Sequence, residues 1–456
     1  MDYPIWAPAL GGGVLIGIVA IAHVLVSHFA IGGGLAIAWL ETLAVRRSDG
    51  ALRALARRSS LMLILVSTVF GAISGVGIWV TIGLVQPAAT SALIHNFVWG
   101  WAAEWGFFIL EVTTALAYWA TWDKVRPRTH LLIIWLYVFA AYMSLVIIQG
   151  ILSFMLTPGR WISTHSFWDA IFNPTYLPGL VLRTGICLLL AGAYLTLAAL
   201  RERDRNARTR EVRLLATLQV LGVLLAYGGY RWWEVALPAE VRSIFSGAKA
   251  LLPALVTTRH FVLWSLTAVL LVSLLALVAP GLHRWPTAVL AMAAAFAFFG
   301  GYERLREGSR KPFVIRDYMF SNGILLSEVA DLNRRGVLSK ASWAVRESPA
   351  GTVGMGAAVF RAECASCHTL NGYLSIRKLV APVDSDMLQG ILGTLQAEAG
   401  EIASGRLVHE GRLNTQQLDY PLMPPLVGTQ AEVGARAVSS KPQTIARCGG
   451  GPCPLA

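Results

Sequence analysis

Charged residues are scarce in this sequence of 456 residues. Asp, Glu, Lys and Arg together make up only 14% of it, whereas hydrophobic residues make up 55%, and the mean hydropathy is +0.57. A soluble globular domain carries about 25% charged residues, so this composition excludes an ordinary soluble protein. It predicts an all-α, polytopic membrane protein whose apolar surface faces a lipid bilayer.

Cysteine is also rare, since the chain has five. Five are too few for a disulfide scaffold, and two of them belong to one short motif described below. The formal net charge of +12 is compatible with a nucleic-acid partner, but the basic residues lie mainly in short segments between apolar runs. That placement is typical of membrane topology, so no nucleic acid is expected as a partner.

Eight apolar runs are long enough to cross a hydrocarbon core of about 30 Å, which takes roughly 20 helical residues. The first residues, MDYPIWAPAL, lack the basic n-region of a cleaved signal peptide, so we expect the first run to be retained as a span. In lipid only a helix satisfies the backbone hydrogen bonds of such a segment. The predicted transmembrane helices are 13–44, 60–86, 95–121, 129–156, 176–200, 213–235, 259–280 and 284–302.

Loop charges predict the orientation of these spans. The segments 46–58, 123–128 and 201–213 carry five, three and six Lys or Arg residues, whereas 86–96 carries none. By the positive-inside rule the basic loops lie in the cytoplasm. Eight spans then place both chain termini on the periplasmic side of a bacterial inner (plasma) membrane.

A C-x-x-C-H motif follows the last apolar run, within FRAECASCHTLNGY at 360–373. The thiols of Cys364 and Cys367 can form thioether bonds to one porphyrin, and His368 is then held beneath the iron. A zinc or redox C-x-x-C pair is the alternative, but no second cysteine pair with zinc spacing follows. The motif therefore predicts one covalent haem c on the periplasmic side, where bacteria attach such haems.

A second axial ligand is expected downstream of this motif. The stretch DYPLMPPLVGT offers Met423 beside two prolines and resembles the distal-methionine loop of small cytochromes c, with His409 as the rival ligand. A His–Met pair favours a relatively high potential. The run GAAVFRAECASCHTLNG resembles the first helix of the same fold, so we expect a small all-α, class I-like cytochrome c domain.

Changes in composition predict four segments. They are a membrane bundle at 1–302, a periplasmic connector at 303–345, a cytochrome c-like domain at 346–445 and a tail at 446–456. The tail holds Cys448 and Cys453. These two cysteines either form a disulfide on the oxidising side or have no role, and the sequence leaves both readings open.

Ionisable side chains at membrane depth are costly, so each is a candidate functional group. Glu104 and Glu111 lie seven residues apart, which places them on one face of a helix. The other candidates lie in the first span and near the end of the eighth, and they are His23, His28, Glu41, Glu307 and Arg310. Such groups can ligate iron, pair with haem propionates through arginine, or carry protons.

These residues resemble a known family. Over about residues 10–315 the chain is similar to subunit I of cytochrome bd quinol oxidases. AHVLVSHFAIGGGLAIAWLETLAV resembles the family's first helix, with His23 at the place of its axial haem ligand. AEWGFFILEVTTALAYWATWDKV resembles its third helix, where Glu104 and Glu111 match two carboxylates beside the active-site haems, although they lie one residue closer together.

Two further segments extend the resemblance. SFWDAIFNP is similar to the segment that enters the family's fifth helix, and REGSRKP, which contains Arg310, is similar to its E-x-G-R-Q-P turn. Glu307 matches the glutamate that ligates the second haem of a closely spaced pair. The resemblance implies haem b in the membrane bundle, with haem b or haem d at the second position, and a second membrane subunit as partner.

The departures from the family affect its low-spin haem, which takes electrons from quinol. The fifth-helix position of its histidine ligand holds Arg183, and Phe261 stands in the column of its methionine ligand. The loop at 236–258 is shorter than the family's quinol-binding loop. This comparison implies that the low-spin haem and the usual quinol site are lost. His260 is then a substitute haem ligand, a propionate partner or a helix cap.

The gain of a haem c beside the loss of the quinol-side haem suggests a bd-type oxidase fed by periplasmic cytochrome c. In this hypothesis His23 and Glu307 are axial ligands of two haems, and Glu104 with Glu111 are catalytic proton carriers or alternative ligands. The alternative is an electron-transfer subunit that links the quinone pool to periplasmic cytochromes without reducing oxygen. A third hypothesis, a haem-free membrane anchor for the cytochrome domain, is disfavoured because His23, Glu111 and Glu307 are all retained.

Overall fold

The structure is a computed structural model that describes residues 3–246, 252–403 and 423–439. Its first part is built from helices. These helices are α1 Gly12–Arg47, α2 Gly50–Ile64, α3 Ala72–Val85, α4 Pro87–Asn96, α5 Val98–Ala120, α6 Pro127–Phe154, α7 Trp161–Thr164, α8 Phe167–Ile171, α9 Tyr176–Ala199, α10 Arg205–Ala236, α11 Ala239–Ser243, α12 Pro253–Val278 and α13 Trp285–Gly308. A π-helix at Leu65–Gly71 joins α2 to α3.

The C-terminal part begins with an antiparallel pair of short strands, β1 Phe313–Ile315 and β2 Met319–Phe320. Two 3₁₀-helices follow, at Leu326–Glu328 and Val337–Ser339. The α-helices of this part are α14 Val329–Arg335, α15 Ser342–Arg346, α16 Thr352–Glu363, α17 Ile376–Val380, α18 Ser385–Ala403 and α19 Gln430–Ser439.

The prediction of an all-α membrane bundle is confirmed, and the described residues form helices at all eight predicted spans. Seven helical segments in the described residues are long and apolar enough to cross a membrane, where the sequence predicted eight. The difference is α5. Its 23 residues are long enough, but two glutamates and four tryptophans lower its hydropathy.

Two membrane helices begin well before their apolar runs, because aspartates cap them. Asp49 Oδ1 accepts a hydrogen bond from the backbone N–H of Ala51 at 3.0 Å, and Asp204 Oδ1 accepts one from Asn206 at 3.0 Å. A side-chain acceptor at this position satisfies a backbone donor that has no partner inside the helix. The helices α2 and α10 therefore extend into the basic loops.

The chain divides into two compact units. The bundle unit consists of Ala20–Val76 and Phe97–Ser309. The second, which we call the tail unit, consists of the described residues of Met1–Val19, Gly77–Asn96 and Arg310–Ala456. The tail unit therefore joins the beginning of α1 and the end of α3 to the C-terminal helices.

Within the bundle unit, α9 and α10 pack with their backbones in contact. A Cβ atom at Gly185 would lie 2.3 Å from the backbone nitrogen of Ala226, and one at Gly222 would lie 2.5 Å from that of Leu189. Only glycine permits this approach, and small residues at helix crossings are the usual means of close packing in membranes. This tight crossing begins two residues after the buried Arg183 on α9.

In the tail unit, the N-terminal residues pack against the ends of α1 and α3 and against the C-terminal helices. The backbone N–H of Trp6 donates to Leu84 O at 2.9 Å, and Ile5 packs against an apolar core. Helix α16 packs along α19. The buried residues of this core include Phe313, Phe320, Val329, Trp343, Val359, Ala399 and Val427.

Candidate haem sites

The C-x-x-C-H motif lies at the end of α16, where the chain turns. The backbone N–H groups of Cys367 and His368 both donate to Cys364 O, at 3.0 and 2.8 Å. This tight turn brings the three residues into one short segment after the helix. Cys364 is buried and Cys367 is exposed, so the first thiol lies in the apolar interior and the second lies at the protein surface.

The ring of His368 is oriented by the loop that follows. Its Nδ1 lies 3.1 Å from the backbone carbonyl oxygen of Leu374. A carbonyl only accepts, so Nδ1 carries the proton and Nε2 is the nitrogen suited to bind iron. Histidine ligands of metals nearly always make such a second hydrogen bond, which fixes the tautomer and the ring plane. The residues of this motif therefore fit a haem c.

Met423 is partly buried and packs against an apolar cluster made of Leu388, Leu392, Leu395, Leu426 and Val433. Apolar surroundings suit a thioether ligand, so Met423 stays the predicted second axial ligand. Its rival, His409, lies outside the described residues, as do Cys448 and Cys453.

His23 is the predicted haem ligand in the first membrane helix, and its contacts leave one ring nitrogen suited to iron. Its Nδ1 lies 3.1 Å from Ser74 Oγ, and that hydroxyl donates its own proton to Phe70 O at 2.5 Å. Oγ therefore accepts from Nδ1–H, and Nε2 is left with its lone pair. Ser74 lies three residues after the π-helix, a feature that is frequent at functional sites. The small Gly75 leaves room for the ring, since a Cβ there would lie 3.3 Å from His23 Cε1.

His28, one of the other candidates, has both ring nitrogens engaged. Nδ1 bonds to Val24 O at 2.8 Å, and Nε2 lies 3.2 Å from Arg183 Nη1. The guanidinium only donates, so Nε2 is the acceptor. Contacts to other residues thus engage both ring nitrogens of His28, and His23, which the resemblance had already placed as the haem ligand, stays the ligand candidate.

Arg183, which the sequence analysis placed at the position of the family's low-spin haem ligand, is 1% exposed. Its guanidinium donates to Gln149 Oε1 at 2.8 Å and to Glu303 Oε1 at 2.5 Å, besides the contact to His28. A charge this deep must be paired, because burying it unpaired is very costly. Gln149 and Glu303 were not among the predicted site residues.

The ion pair continues along α13 towards Glu307. Arg306 lies 3.1 Å from Glu303 Oε2 and 2.5 Å from Glu307 Oε1. The Glu307 side chain is 45% exposed, so this predicted iron ligand lies at the edge of the network. Arg310 is buried in the tail unit and donates to Val314 O at 2.9 Å. The spacing of Glu303 and Arg306, one turn apart, was the available sequence signal for this network.

Glu104 and Glu111 are both half-buried on α5. The Tyr137 hydroxyl donates to Ala30 O at 3.0 Å and lies 3.3 Å from Glu111 Oε1. A carboxyl group beside a hydroxyl can exchange protons with it, so this pair is suited to a proton path.

A second buried polar cluster joins α1, α5 and α6. Glu41 lies 2.6 Å from His130 Nδ1 and accepts from the Tyr118 hydroxyl, also at 2.6 Å. His130 Nε2 lies 3.0 Å from the backbone oxygen of Tyr118. Glu41 had been singled out from the sequence, whereas His130 had not, because it lies at the polar start of its span.

His260 lies on the exposed side of α12, next to Phe261, which is 51% exposed. It is therefore not brought together with the other candidates of the bundle unit. Within the described ranges no three His, Cys, Asp or Glu side chains are grouped as a multi-residue metal site would require. A haem iron takes only one or two protein ligands, so the single candidates above remain the relevant ones.

Comparison with known proteins bears on the membrane bundle. The family model of cytochrome bd terminal oxidase subunit I matches residues 14–228. The structure is similar to the bd oxidase from Geobacillus thermodenitrificans, with a TM-score of 0.59 and 15% sequence identity, over 69% of this chain and 90% of that one. The chain has a bd-oxidase-like helical fold. Comparison with curated proteins gives no match.

The family match includes His23, Glu104, Glu111 and Arg183. It ends before Glu307 and before the C-x-x-C-H motif. The likeness therefore supports a bundle of the bd type, and the haem c rests on its own residues.

Proposed function

We propose that this protein is a bd-oxidase-like respiratory electron-transfer protein of the bacterial inner membrane. It passes electrons between a covalent haem c and haems held in the membrane bundle. In its simplest form it takes electrons from periplasmic cytochromes rather than from quinol and delivers them to oxygen. The observation that carries this proposal is the buried Arg183–Glu303 ion pair, at the residue that the sequence resemblance aligns with the family's quinol-side haem ligand.

The position of the motif supports an electron route on the side where α1 begins. In the tail unit, Gln86 at the end of α3 donates to Ser321 O at 3.2 Å, and Ser321 Oγ lies 3.9 Å from Cys367 Sγ. The adjacent segment 86–96 has no Lys or Arg. A loop without basic residues is typical of the periplasmic side.

If both chain termini lie in the periplasm, as proposed, the number of crossings is even. The helix α5 must then span the membrane despite its low hydropathy. Its 23 residues extend about 34 Å at 1.5 Å per residue, and α5 packs along α6, which is apolar enough to cross. The polar residues of α5 are then expected to face haem or the second membrane subunit rather than lipid.

The residues present have defined parts in this proposal. Haem iron would supply one-electron transfer and a position for oxygen. His368 and Met423 would hold haem c, and His23 would hold a membrane haem through Nε2, with Ser74 fixing its tautomer. Glu307, paired with Arg306, would bind a second haem.

Proton delivery falls to α5. Glu104 and Glu111 lie two turns apart on one face of the helix, and Glu111 is also close to the Tyr137 hydroxyl. A water molecule or hydroxyl group between the two carboxyl groups would let a proton pass from one to the other. Arg310 and His260 remain candidates for contacts with haem propionates. A second membrane subunit, periplasmic cytochromes and the bilayer are the proposed partners.

The alternative is an electron-transfer subunit that exchanges electrons between quinone and periplasmic cytochromes without reducing oxygen. The pairing of Glu307 with Arg306 favours it, because a carboxylate already held by a cation is a weaker iron ligand. Both candidates keep the haem c and His23.

Haem counting on the purified complex tests the proposal first. Pyridine haemochrome spectra are expected to give one haem c with haem b, and haem d if the second site holds it. Carbon monoxide difference spectra reveal an iron with an open position. Oxygen uptake with reduced cytochrome c supports the oxidase, whereas absence of both carbon monoxide binding and oxygen uptake favours the alternative. Absence of haem c would overturn both.

A further inference from the structure

The N-terminal residues 3–11, which we call the strap, contact the loop that follows the C-x-x-C-H motif. The backbone N–H of Tyr373 donates to Ala9 O at 3.2 Å. Gly372 lies so close to the strap that a Cβ there would be 1.7 Å from the same oxygen. Gly11 packs against the Tyr373 ring, since a Cβ at Gly11 would lie 3.3 Å from its Cδ1.

The loop held by the strap is the one that orients His368. Its residue Leu374, which accepts the hydrogen bond from His368 Nδ1, has a φ of +47°. A branched residue rarely adopts this left-handed conformation unless the surroundings enforce it. The carbonyl of Leu374 therefore points at the histidine because the loop is constrained from both sides.

Part of this constraint lies inside the loop. Thr369 Oγ1 donates to Tyr373 O at 2.8 Å, and the backbone N–H of Ile376 donates to Thr369 O at 2.8 Å. The strap supplies the outer part. It is itself fixed to the end of α3, through the hydrogen bond from Trp6 to Leu84.

We infer that the strap is a positioning segment for the haem c ligand: by holding Gly372 and Tyr373, it keeps the Leu374 carbonyl on His368 Nδ1. This inference rests on the proposed function, because it requires haem c. A hydrogen bond from Nδ1 makes the imidazole a stronger donor to iron, which favours the oxidised haem. Loosening the strap must therefore raise the midpoint potential of haem c.

The full-length protein carrying Gly372→Ala tests this inference, because the added methyl group must displace Ala9 O or the loop. Gly390→Ala is the matched control: it lies on α18 and a Cβ there meets nothing within 4 Å. The ratio of reduced to oxidised haem c is measured at the midpoint potential of haem c in the unaltered protein. This ratio is expected to rise several-fold in G372A and to stay unchanged in G390A. A tenfold rise corresponds to 59 mV for one electron.

A second variant leaves the haem-binding loop intact, in case G372A attaches no haem. Residues 4–9 are replaced by a Gly-Ser segment of equal length, and the same rise in potential, or loss of haem c alone, is expected. In the combined variant G372A adds little, because both changes act on one contact. An unchanged potential and spectrum in the strap variant would overturn the inference. Absence of haem c from the unaltered protein would instead refute the proposed function.

Discussion

Replacing Arg183 with methionine tests whether the buried ion pair holds the centre of the bundle. The guanidinium is 1% exposed and contacts Gln149, His28 and Glu303. Methionine keeps much of the volume but leaves Glu303 with Arg306 as its cationic partner in the described network. Removing one partner of a buried pair costs about 3–5 kcal/mol, and the remaining arginine places the expected loss near the lower end, about 3 kcal/mol.

The assay is the unfolding free energy of the protein in mixed detergent micelles, followed by helical circular dichroism. The double variant Arg183→Met with Glu303→Leu should recover most of the loss, because an apolar pair of similar volume is often neutral relative to a buried ion pair. Arg160→Met is the matched control: its side chain is 82% exposed and lies 3.9 Å from Asp169. A change below about 0.5 kcal/mol is expected there.

Two outcomes would refute this reasoning. If R183M lost no more stability than R160M, the pair would not hold the helices together. If the double variant lost the sum of its two single changes, the two charges would act independently rather than as a pair.

Three further predictions concern the haems and the tail unit. Ser74→Ala frees the tautomer of His23 and should shift the potential of a membrane haem while haem c keeps its potential; an identical redox titration would contradict this role. Changing both Cys364 and Cys367 to alanine should abolish the haem that stays bound on a denaturing gel and spare the membrane haems; covalent haem in that variant would exclude the motif. Burial raises the pKa of Glu398 to about 7, so its stabilising contribution is complete below pH 4.5 and is lost as pH rises through 7. Thermal unfolding of the tail unit at pH 5 and pH 8 should show this difference, and Glu398→Gln should remove it.

Several site residues could be predicted because their chemistry lies within a few consecutive positions. C-x-x-C-H places two thiols and one imidazole at fixed short spacing, so Cys364, Cys367 and His368 follow from the sequence. The spacing of Glu104 and Glu111 likewise places both on one helix face. The partner of His368 depends instead on a loop that returns to the motif, and no spacing rule gives it.

The two histidines of α1 show where such prediction stops. His23 and His28 have the same residue type and lie in one apolar run, so their own positions do not rank them, and only the family resemblance pointed to His23. Their roles separate only through residues from other helices, Ser74 for the first and Arg183 for the second. A tautomer is set by what each nitrogen contacts, and those contacts are tertiary.

The sequence by itself determined the membrane class, the positions of the helices and the haem c motif, because hydrophobicity, loop charge and thiol spacing are properties of local segments. It did not determine that Arg183 closes an ion pair with Glu303, or that the strap contacts the loop after the C-x-x-C-H motif. Each of these joins residues far apart in the chain, and the cost of burying a charge or a polar group is met only where folding brings its partner into contact.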